Sequence, residues 1–198
     1  MRAFIGIGLT EECRAAIGEA ISVARGTGGP VAWIPERNLH LTLKFLGEIP
    51  PGRIEELAGA MAAAARGVPP FGIRVGGAGG FPTLRQPRVL WIGVREPLEL
   101  VRKLHQNMEN ELARAGFPRD ERPFHPHVTV ARVRGKTAAG WSDEYASAAS
   151  GMADCLVPVD SYRLYESRLS PSGARYSILR DIPLGGGTGG TDQGGAGG

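Results

Sequence analysis

The sequence has few cysteines and no long apolar segment. Its two cysteines, Cys13 and Cys155, lie far apart and lack the close spacing of a metal-binding pair. We therefore expect free thiols in a reducing, cytoplasmic setting, with a disulfide as the less favoured alternative. No stretch reaches the roughly 18 apolar residues of a membrane-spanning helix, and the apolar residues 1–9 run into Thr10 without a signal-peptide cleavage site. A soluble protein with no membrane partner is predicted.

A glycine-rich phosphate-binding loop is also missing, although the chain contains 30 glycines. Many of them lie in residues 185–198, which contain almost nothing that a core could bury, so this Gly-rich tail is expected to be disordered. The hydrophobic content of 42% is sufficient for a substantial core in the remaining chain. We expect residues 1–184 to form one folding unit.

Basic residues outnumber acidic residues only slightly. The formal net charge of +3 is compatible with an anionic ligand but does not establish one. The placement is more informative, because Arg85 and Arg88 flank a predicted turn, while Arg132, Arg134 and Lys136 follow one another closely. These side chains either gather phosphate groups around a cleft or form an ordinary solvated surface.

Hydrophobic periodicity predicts strands and helices in mixed order. The strands are predicted at residues 3–9, 39–46, 71–75, 88–94, 124–133, 160–167 and 175–182, and the helices at 10–24, 51–66, 97–116 and 142–149. Residues 76–87 are predicted to form a loop. Adjacent strands joined by tight turns favour antiparallel pairing, and helices must cover one face of the sheet, so the predicted fold class is α+β.

Two segments share one pattern: His40-Leu41-Thr42-Leu43 and His127-Val128-Thr129-Val130 both read His, apolar, Thr, apolar. In a strand, residues two apart project from the same face. Each motif therefore presents an imidazole and a hydroxyl together, while its aliphatic residues enter the core. Two such strands facing one another would form a nearly symmetric polar cleft.

A pair of imidazoles suits the hydrolysis of a cyclic phosphate. One group must take a proton from water, and another must protonate the departing sugar oxygen. The unperturbed histidine pKa of about 6.5 allows one imidazole to be neutral while the other is protonated. The hydroxyls of Thr42 and Thr129 can bond the non-bridging phosphate oxygens and hold the phosphorus in line for attack.

The paired motifs and their flanks resemble the two-histidine phosphoesterase superfamily. The matching segments are His40-Leu41-Thr42-Leu43-Lys44-Phe45-Leu46-Gly47, Pro126-His127-Val128-Thr129-Val130-Ala131-Arg132 and Glu166-Ser167-Arg168-Leu169, with Gly173, Tyr176 and Leu184. One His-x-Thr-x motif is common by chance, whereas two in strand context with these flanks are specific. The resemblance is to the RNA 2',3'-cyclic phosphodiesterase branch, also called 2'-5' RNA ligase, and it covers nearly everything except the tail.

This resemblance implies a fold, an activity and roles. The implied fold is bilobal α+β, with two mostly antiparallel sheets flanking a central cleft and helices on the outer faces, so that residues 1–184 form a single bilobal catalytic domain. The implied activity opens the 2',3'-cyclic phosphate end of an RNA, or a cyclic nucleotide, to a 2'-phosphomonoester without metal or cofactor, with 2'-5' ligation as a reverse side activity. By analogy His40 is the proton donor to the 3'-oxygen and His127 the proton acceptor that activates water.

Arg132 matches an arginine that the family places near the phosphate. Strict alternation from His127 and Thr129 would put Arg132 on the opposite face of the strand, so a bulge or the strand end has to turn it inward. With this condition Arg132 joins Thr42 and Thr129 as a predicted substrate-binding residue.

Two other functions are compatible with these residues. His125 and His127, two apart on one strand, could bind zinc together with His40 in a metallohydrolase, although neither motif offers a carboxylate. A non-catalytic module that binds RNA ends or nucleotides would keep the cleft without turnover. An activity that resists a chelator counts against the first alternative, and turnover itself counts against the second.

The other prominent residues have structural interpretations. A core position is predicted for Leu39, Leu41, Leu43, Phe45, Val128 and Val130. His105 and His125 are interpreted as structural. Packing is the favoured role of Trp33, Trp91 and Trp141, with base stacking as the alternative, and both roles are open to Phe45. Substrate specificity is expected to reside in loops such as residues 76–87 and 135–140. A monomer is expected because both motifs belong to one cleft.

Overall fold

The computed structural model describes residues 1–26, 30–138, 140–170 and 173–185. All of the predicted tail except Gly185 lies outside these ranges, so its predicted disorder is not tested. Within them, no helix combines the length and the apolar character that crossing a membrane requires.

The described chain forms nine strands and five α-helices. The strands are β1 Arg2–Gly8, β2 Val31–Trp33, β3 His40–Glu48, β4 Phe71–Pro82, β5 Pro87–Arg95, β6 His127–Val133, β7 Cys155–Val159, β8 Ser161–Ser170 and β9 Gly173–Pro183. The helices are α1 Glu11–Ala20, α2 Ser22–Gly26, α3 Ile54–Ala64, α4 Glu99–Arg114 and α5 Trp141–Ser150. Helix α1 begins as predicted, because the Thr10 side chain accepts a hydrogen bond from the Cys13 backbone N–H at 3.2 Å.

All strand pairs are antiparallel and belong to one sheet in the order β7-β4-β5-β6-β3-β1-β8-β9, with β2 also pairing with β6. We call β3, β1, β8 and β9 the first half and β7, β4, β5 and β6 the second half. The halves meet at one residue pair, Leu41 with Val128. The predicted α+β class with antiparallel pairing is confirmed, and the two predicted sheets are the two halves joined at this pair.

Different helices cover the two halves. Tyr162 of β8 donates a buried hydrogen bond of 2.6 Å to the Met61 carbonyl of α3, which ties α3 to the first half. Tyr145 of α5 donates one of 2.8 Å to the Trp91 carbonyl of β5 in the second half. The predicted apolar stripe of α4 is buried at Val101, Leu104, Met108 and Leu112. Each such side chain contributes about 1.5–3 kcal/mol by its removal from water.

A bulge interrupts each motif strand at the same position of the motif. In β3, Gly6 lies opposite Thr42 and Ile5 opposite Lys44, so Leu43 is the extra residue. In β6, Trp91 lies opposite Thr129 and Leu90 opposite Ala131, so Val130 is the extra residue. A bulge reverses the alternation of side chains beyond it. The fifth residue after each motif histidine, Phe45 or Arg132, is therefore turned to the face that carries the histidine and threonine.

The two bulges decide three predictions. Arg132 is turned inward by a bulge, as its predicted role required. The prediction of a core position is confirmed for Leu39, Leu41, Leu43, Val128 and Val130, but it is wrong for Phe45, whose side chain is 66% exposed. Lys44 takes the buried place instead, with 3% exposure.

The segment 76–87, predicted as a loop, is mostly strand, because β4 continues to Pro82 and β5 begins at Pro87. Its glycines make room for a large ring: a Cβ atom on Gly79 would lie 2.0 Å from the Trp91 ring. The glycine run that suggests a loop is thus a packing feature of a strand. The short strands β2 and β7 were not predicted from the sequence.

Cys13 and Cys155 are free thiols, as predicted. Burial raises the pKa of the Cys13 thiol to about 12, and a hydrogen bond with the neighbouring Cys155 thiol adds to this effect.

Candidate active site

The pair that joins the two halves also brings the two motifs together. Antiparallel pairing of Leu41 with Val128 sets position 40 across from position 129 and position 42 across from position 127. Leu41 and Val128 are fully buried, so their neighbours along each strand project from the opposite face. His40, Thr42, Thr129 and His127 therefore form a four-residue square, with the imidazoles at diagonal corners.

The orientation of the His40 imidazole is fixed by two hydrogen bonds. Its Nδ1 lies 2.7 Å from the Asn38 carbonyl oxygen, and a carbonyl can only accept, so Nδ1 carries a proton. Its Nε2 lies 3.0 Å from Thr42 Oγ1. In the neutral imidazole Nε2 accepts from the Thr42 hydroxyl, and in the imidazolium Nε2 can donate. Nε2 is thus the nitrogen available for proton transfer.

His127 is held in the same way. Its Nδ1 donates to the His125 carbonyl oxygen at 2.6 Å, so Nε2 is again the nitrogen left for chemistry. The ring has aromatic neighbours in the second half: the Phe81 ring lies edge-on at 5.1 Å between centroids, and the Trp91 ring lies at 5.9 Å. Both motifs thus use the carbonyl two residues before the histidine to fix the tautomer.

His40 has its own aromatic enclosure in the first half. Its ring stacks on Phe4 at 4.6 Å and meets the Tyr176 ring edge-on at 5.3 Å. The close approach of β1 to β3 depends on Gly6, where a Cβ atom would lie 3.2 Å from His40 Cδ2 and 2.8 Å from the Leu41 carbonyl oxygen. The apolar pattern of β1 therefore supplies one wall of the site.

Burial lowers the pKa of both imidazoles below the ordinary value of 6.5. For His40, loss of solvation is the main cause, the hydrogen bond to the Asn38 carbonyl raises the pKa, and the charge of His127 lowers it. For His127, burial again dominates, the bond to the His125 carbonyl raises the pKa, and the charge of His125 lowers it. The two imidazoles interact electrostatically, so protonation of one disfavours protonation of the other.

A cleft of about 1550 Å³ opens onto this site. Thr42, His127, Thr129 and Arg132 line it, whereas His40 is reached through its hydrogen bond to Thr42. The sequence-predicted site residues are thus brought together. Phe45 joins them on the cleft wall because of the bulge in β3.

The charge of Arg132 acts on a residue of the other half. Burial raises the pKa of the Tyr176 phenol, and the positive charges of Arg132 and Arg2 lower it. Arg132 belongs to the second half and Tyr176 to the first, where the Tyr176 ring touches His40. A cation so placed can stabilise the negative charge of a phosphate lying between the two imidazoles.

The proposed zinc-binding trio is not assembled in this arrangement. In the described part of the chain, the one set of three potential ligands whose atoms lie within 4.8 Å of one another is His105, Glu109 and Asp120. A lysine already fills that set, because Lys44 Nζ lies 2.5 Å from Glu109 and 3.3 Å from Asp120. His40, His125 and His127 form no comparable group among these residues.

Sequence reasoning missed the buried ion pair and the roles of several neighbours. Lys44 and Glu109 are both buried, and the Asp120 backbone N–H also donates to Glu109 at 3.0 Å. His105, interpreted as structural, stacks on Phe124 at 3.9 Å between parallel rings in the cleft wall. A lysine on the same strand face as His40 and Thr42 was the available signal, but alternation predicted it to be accessible.

Comparison with known proteins gives consistent results. The model of the 2'-5' RNA ligase superfamily matches residues 15–169. The chain is 35% identical over 189 residues to an RNA 2',3'-cyclic phosphodiesterase of Thermotoga maritima, covering 94% of this chain and 97% of the relative. It is 32% identical to one of Methanothermobacter thermautotrophicus, covering 93% of this chain and 99% of the relative.

Solved structures show the same fold. The Thermus thermophilus protein TT0787 superimposes with a TM-score of 0.74 at 29% identity, covering 93% of this chain and 98% of its own. Escherichia coli LigT complexed with 3'-AMP superimposes with a TM-score of 0.69 at 29% identity and the same coverage.

Proposed function

The chain belongs to the 2'-5' RNA ligase superfamily, and we propose that it is an RNA 2',3'-cyclic phosphodiesterase, a hydrolase that converts a cyclic phosphate end to a 2'-phosphomonoester. The observation that carries this proposal is the square of His40, Thr42, Thr129 and His127, built around the Leu41–Val128 pair. Diagonal imidazoles lie on opposite sides of a group held at the centre, as in-line displacement at phosphorus requires.

In the proposed reaction, His127 Nε2 accepts a proton from water while the water oxygen attacks the phosphorus. The bond between phosphorus and the 3'-oxygen breaks, and His40 Nε2–H donates its proton to that oxygen. The products are a 2'-phosphate and a 3'-hydroxyl. The geometry supports Nε2 as the reacting nitrogen on both histidines, because each Nδ1 is bound to a backbone carbonyl. The assignment of donor and acceptor follows the family resemblance.

The threonines and Arg132 position and stabilise the phosphate in this proposal. Thr42 and Thr129 lie beside the imidazoles and line the cleft, where their hydroxyls can donate to the non-bridging oxygens. Arg132 supplies positive charge as the phosphorane develops. No metal or cofactor is needed for these steps.

The same site supports the reverse chemistry. An RNA 5'-hydroxyl in place of water would attack the phosphorus and leave a 2'-5' linkage, again with release of the 3'-oxygen. Water is far more abundant than RNA ends, and the described residues offer no nucleotide-binding loop for energy coupling. Hydrolysis is therefore the main reaction and ligation a side activity.

The working unit we propose is a monomer, with residues 1–184 as the catalytic domain, because one chain supplies both motifs. The proposed partner is an RNA with a 2',3'-cyclic phosphate end or a cyclic nucleotide. Two free thiols favour a reducing compartment, in agreement with a cytoplasmic location.

The proposal is tested by turnover of a short RNA with a 2',3'-cyclic phosphate end, in EDTA, by wild type, His40→Ala and His127→Ala. We expect wild type to form the 2'-phosphate, identified against 2'- and 3'-phosphate standards. Each variant should lose about 10²- to 10⁴-fold in kcat, because each removes one proton-transfer group. The double variant should lose little more than either single one, since the two histidines act as a unit.

Three outcomes would contradict parts of this proposal. Activity abolished by EDTA would revive the metallohydrolase. Absence of turnover by a folded wild type would favour the non-catalytic RNA-end module. Formation of the 3'-phosphate would refute the assignment of the leaving oxygen.

A further inference from the structure

The cations of the cleft come almost entirely from one side. Seven lysine and arginine residues line it, and six of them lie on that side: Arg85, Arg88, Arg119, Arg122, Arg132 and Lys136. They belong to the β4–β5 connection, to the start of β5, to β6 and the segment after it, and to the loop that leads into β6. The first half contributes only Lys44, whose charge is taken up by Glu109 and Asp120.

These cations are available to a ligand. Elsewhere in the protein many arginines are paired with acids, as in Arg95 with Asp154 and Arg163 with Asp181. No acidic side chain of the described residues pairs with Arg85, Arg88, Arg122, Arg132 or Lys136. Arg119 donates to the neutral Asn110 side chain at 2.7 Å. Of the two acids that line the cleft, Asp120 is bound to Lys44 and Glu121 alone remains.

The size of the cleft exceeds what one nucleotide needs. Its volume of about 1550 Å³ is larger than the roughly 300–1,000 Å³ of small-molecule sites. Three phenylalanine rings line the same cleft: the exposed Phe45 on the first half, and Phe81 and Phe124 on the side of the cations, with Phe124 stacked on His105. A positively charged groove with interleaved aromatic rings is the arrangement that binds single-stranded nucleic acid, with phosphates on the cations and bases on the rings.

We propose that the cleft binds a single-stranded 3'-terminal segment of RNA several nucleotides long, which leaves the two histidines across the second half along Arg85, Arg88 and Lys136. This inference rests on the proposed function and adds the form of its substrate. A single strand is favoured over a duplex, because the cleft presents separated rings for unstacked bases. Recognition through phosphates predicts little dependence on base sequence.

The test compares two substrates with a 2',3'-cyclic phosphate: a cyclic mononucleotide and an unstructured octanucleotide. Wild type should have the higher kcat/KM on the octanucleotide. In Arg85→Gln/Arg88→Gln, the ratio of kcat/KM for octanucleotide over mononucleotide should fall about tenfold, mainly through KM. The slope of log kcat/KM against log salt on the octanucleotide should become shallower by about 1.4, since each single-strand phosphate contact contributes about 0.7.

The matched control is Arg66→Gln/Arg74→Gln, which removes two exposed arginines outside the cleft and should leave the ratio unchanged. Unchanged thermal unfolding midpoints establish that both double variants are folded. Equal kcat/KM for the two wild-type substrates, or an equal fall of the ratio in the control, would overturn this inference alone. Absence of turnover with both substrates would overturn the proposed function on which it rests.

Discussion

At the residue scale, the two motif histidines differ more in their surroundings than in their sequences. The residue two positions before each histidine offers the carbonyl that fixes its tautomer. For His40 that residue is Asn38, which is buried and whose side-chain amide donates to the Ala174 carbonyl of β9 at 2.7 Å. For His127 it is His125, which is exposed. His40 is therefore anchored to the β8–β9 hairpin as well as to its own strand, whereas His127 borders the open cleft.

The pH dependence of the reaction follows from these surroundings. The proposed mechanism requires one imidazole protonated and the other neutral, and burial lowers the pKa of both. The free enzyme with one protonated imidazole therefore loses that proton at a pH below the ordinary histidine pKa of about 6.5. We expect kcat/KM to fall as the pH rises, with an apparent pKa below about 6.5. A rate profile on the cyclic mononucleotide from about pH 4 to pH 9 measures this limb.

A variant tests whether burial of His40 sets the alkaline side of the pH profile. Phe4→Leu removes the ring that stacks on His40, admits water and should move the alkaline limb upward. An alkaline limb above the ordinary histidine value in wild type, or one that Phe4→Leu moves downward, would contradict this account.

At the element scale, a buried ion pair holds the loop that enters β6. Lys44 of β3 forms ion pairs with Glu109 of α4 and Asp120 of the loop. The Asp120 backbone N–H also donates a hydrogen bond to the Glu109 carboxylate. The loop continues to His125 and His127. A lysine of the first motif strand thus holds the loop that leads into the second motif strand. The bulge at Leu43 is what turns this lysine inward and Phe45 outward.

Removing one partner of this ion pair should lower the free energy of unfolding more than replacing both partners with apolar residues. Lys44→Met leaves the buried Glu109 carboxylate without a counter-charge and should lower the free energy of unfolding by about 3–5 kcal/mol. Lys44→Met/Glu109→Leu should recover most of that loss, because apolar side chains of similar volume suit a buried site. Urea unfolding measures both variants.

The matched control is Arg102→Met, which breaks an exposed pair with Glu96 and should cost about 0–1 kcal/mol. A loss in Lys44→Met no larger than in the control would show that the pair does not hold the loop.

At the scale of the whole molecule, the proposed active site lies on the seam between two halves that share one backbone pair, Leu41 with Val128. Each half contributes one histidine, one threonine and its own aromatic enclosure. Helix α3 is hydrogen-bonded to the first half and helix α5 to the second. The same chain supplies every group of the proposed mechanism.

A site complete within one chain predicts the absence of complementation. An equimolar mixture of His40→Ala and His127→Ala should be no more active than either variant alone. Sedimentation velocity should show a monomer at the assay concentration. Recovery of about a quarter of wild-type activity in the mixture would instead show a site shared between subunits, since random pairing of two variants restores at most one site in half of the dimers.

The sequence alone was sufficient to predict which side chains form the proposed site. The two His-x-Thr-x motifs and the strand periodicity around them predicted that His40, Thr42, His127 and Thr129 share one cleft, whereas Arg132 was predicted from the family resemblance. Helix α1 with its Thr10 cap and the apolar stripe of α4 could also be predicted from the sequence, because each depends on local spacing. Local patterns carry this information because, within a regular strand or helix, backbone geometry sets which side chains share a face.

The tertiary structure decided what local alternation could not. The bulges at Leu43 and Val130 arise from pairing with β1 and β5, and they exchange the places of Lys44 and Phe45 and turn Arg132 inward. The strand through Gly79 forms by pairing with β5, and glycine is needed there because the Trp91 ring of β5 occupies the space that a side chain would need. Register, bulges and the partners of buried charges depend on residues distant in sequence, so only the folded chain assigns them.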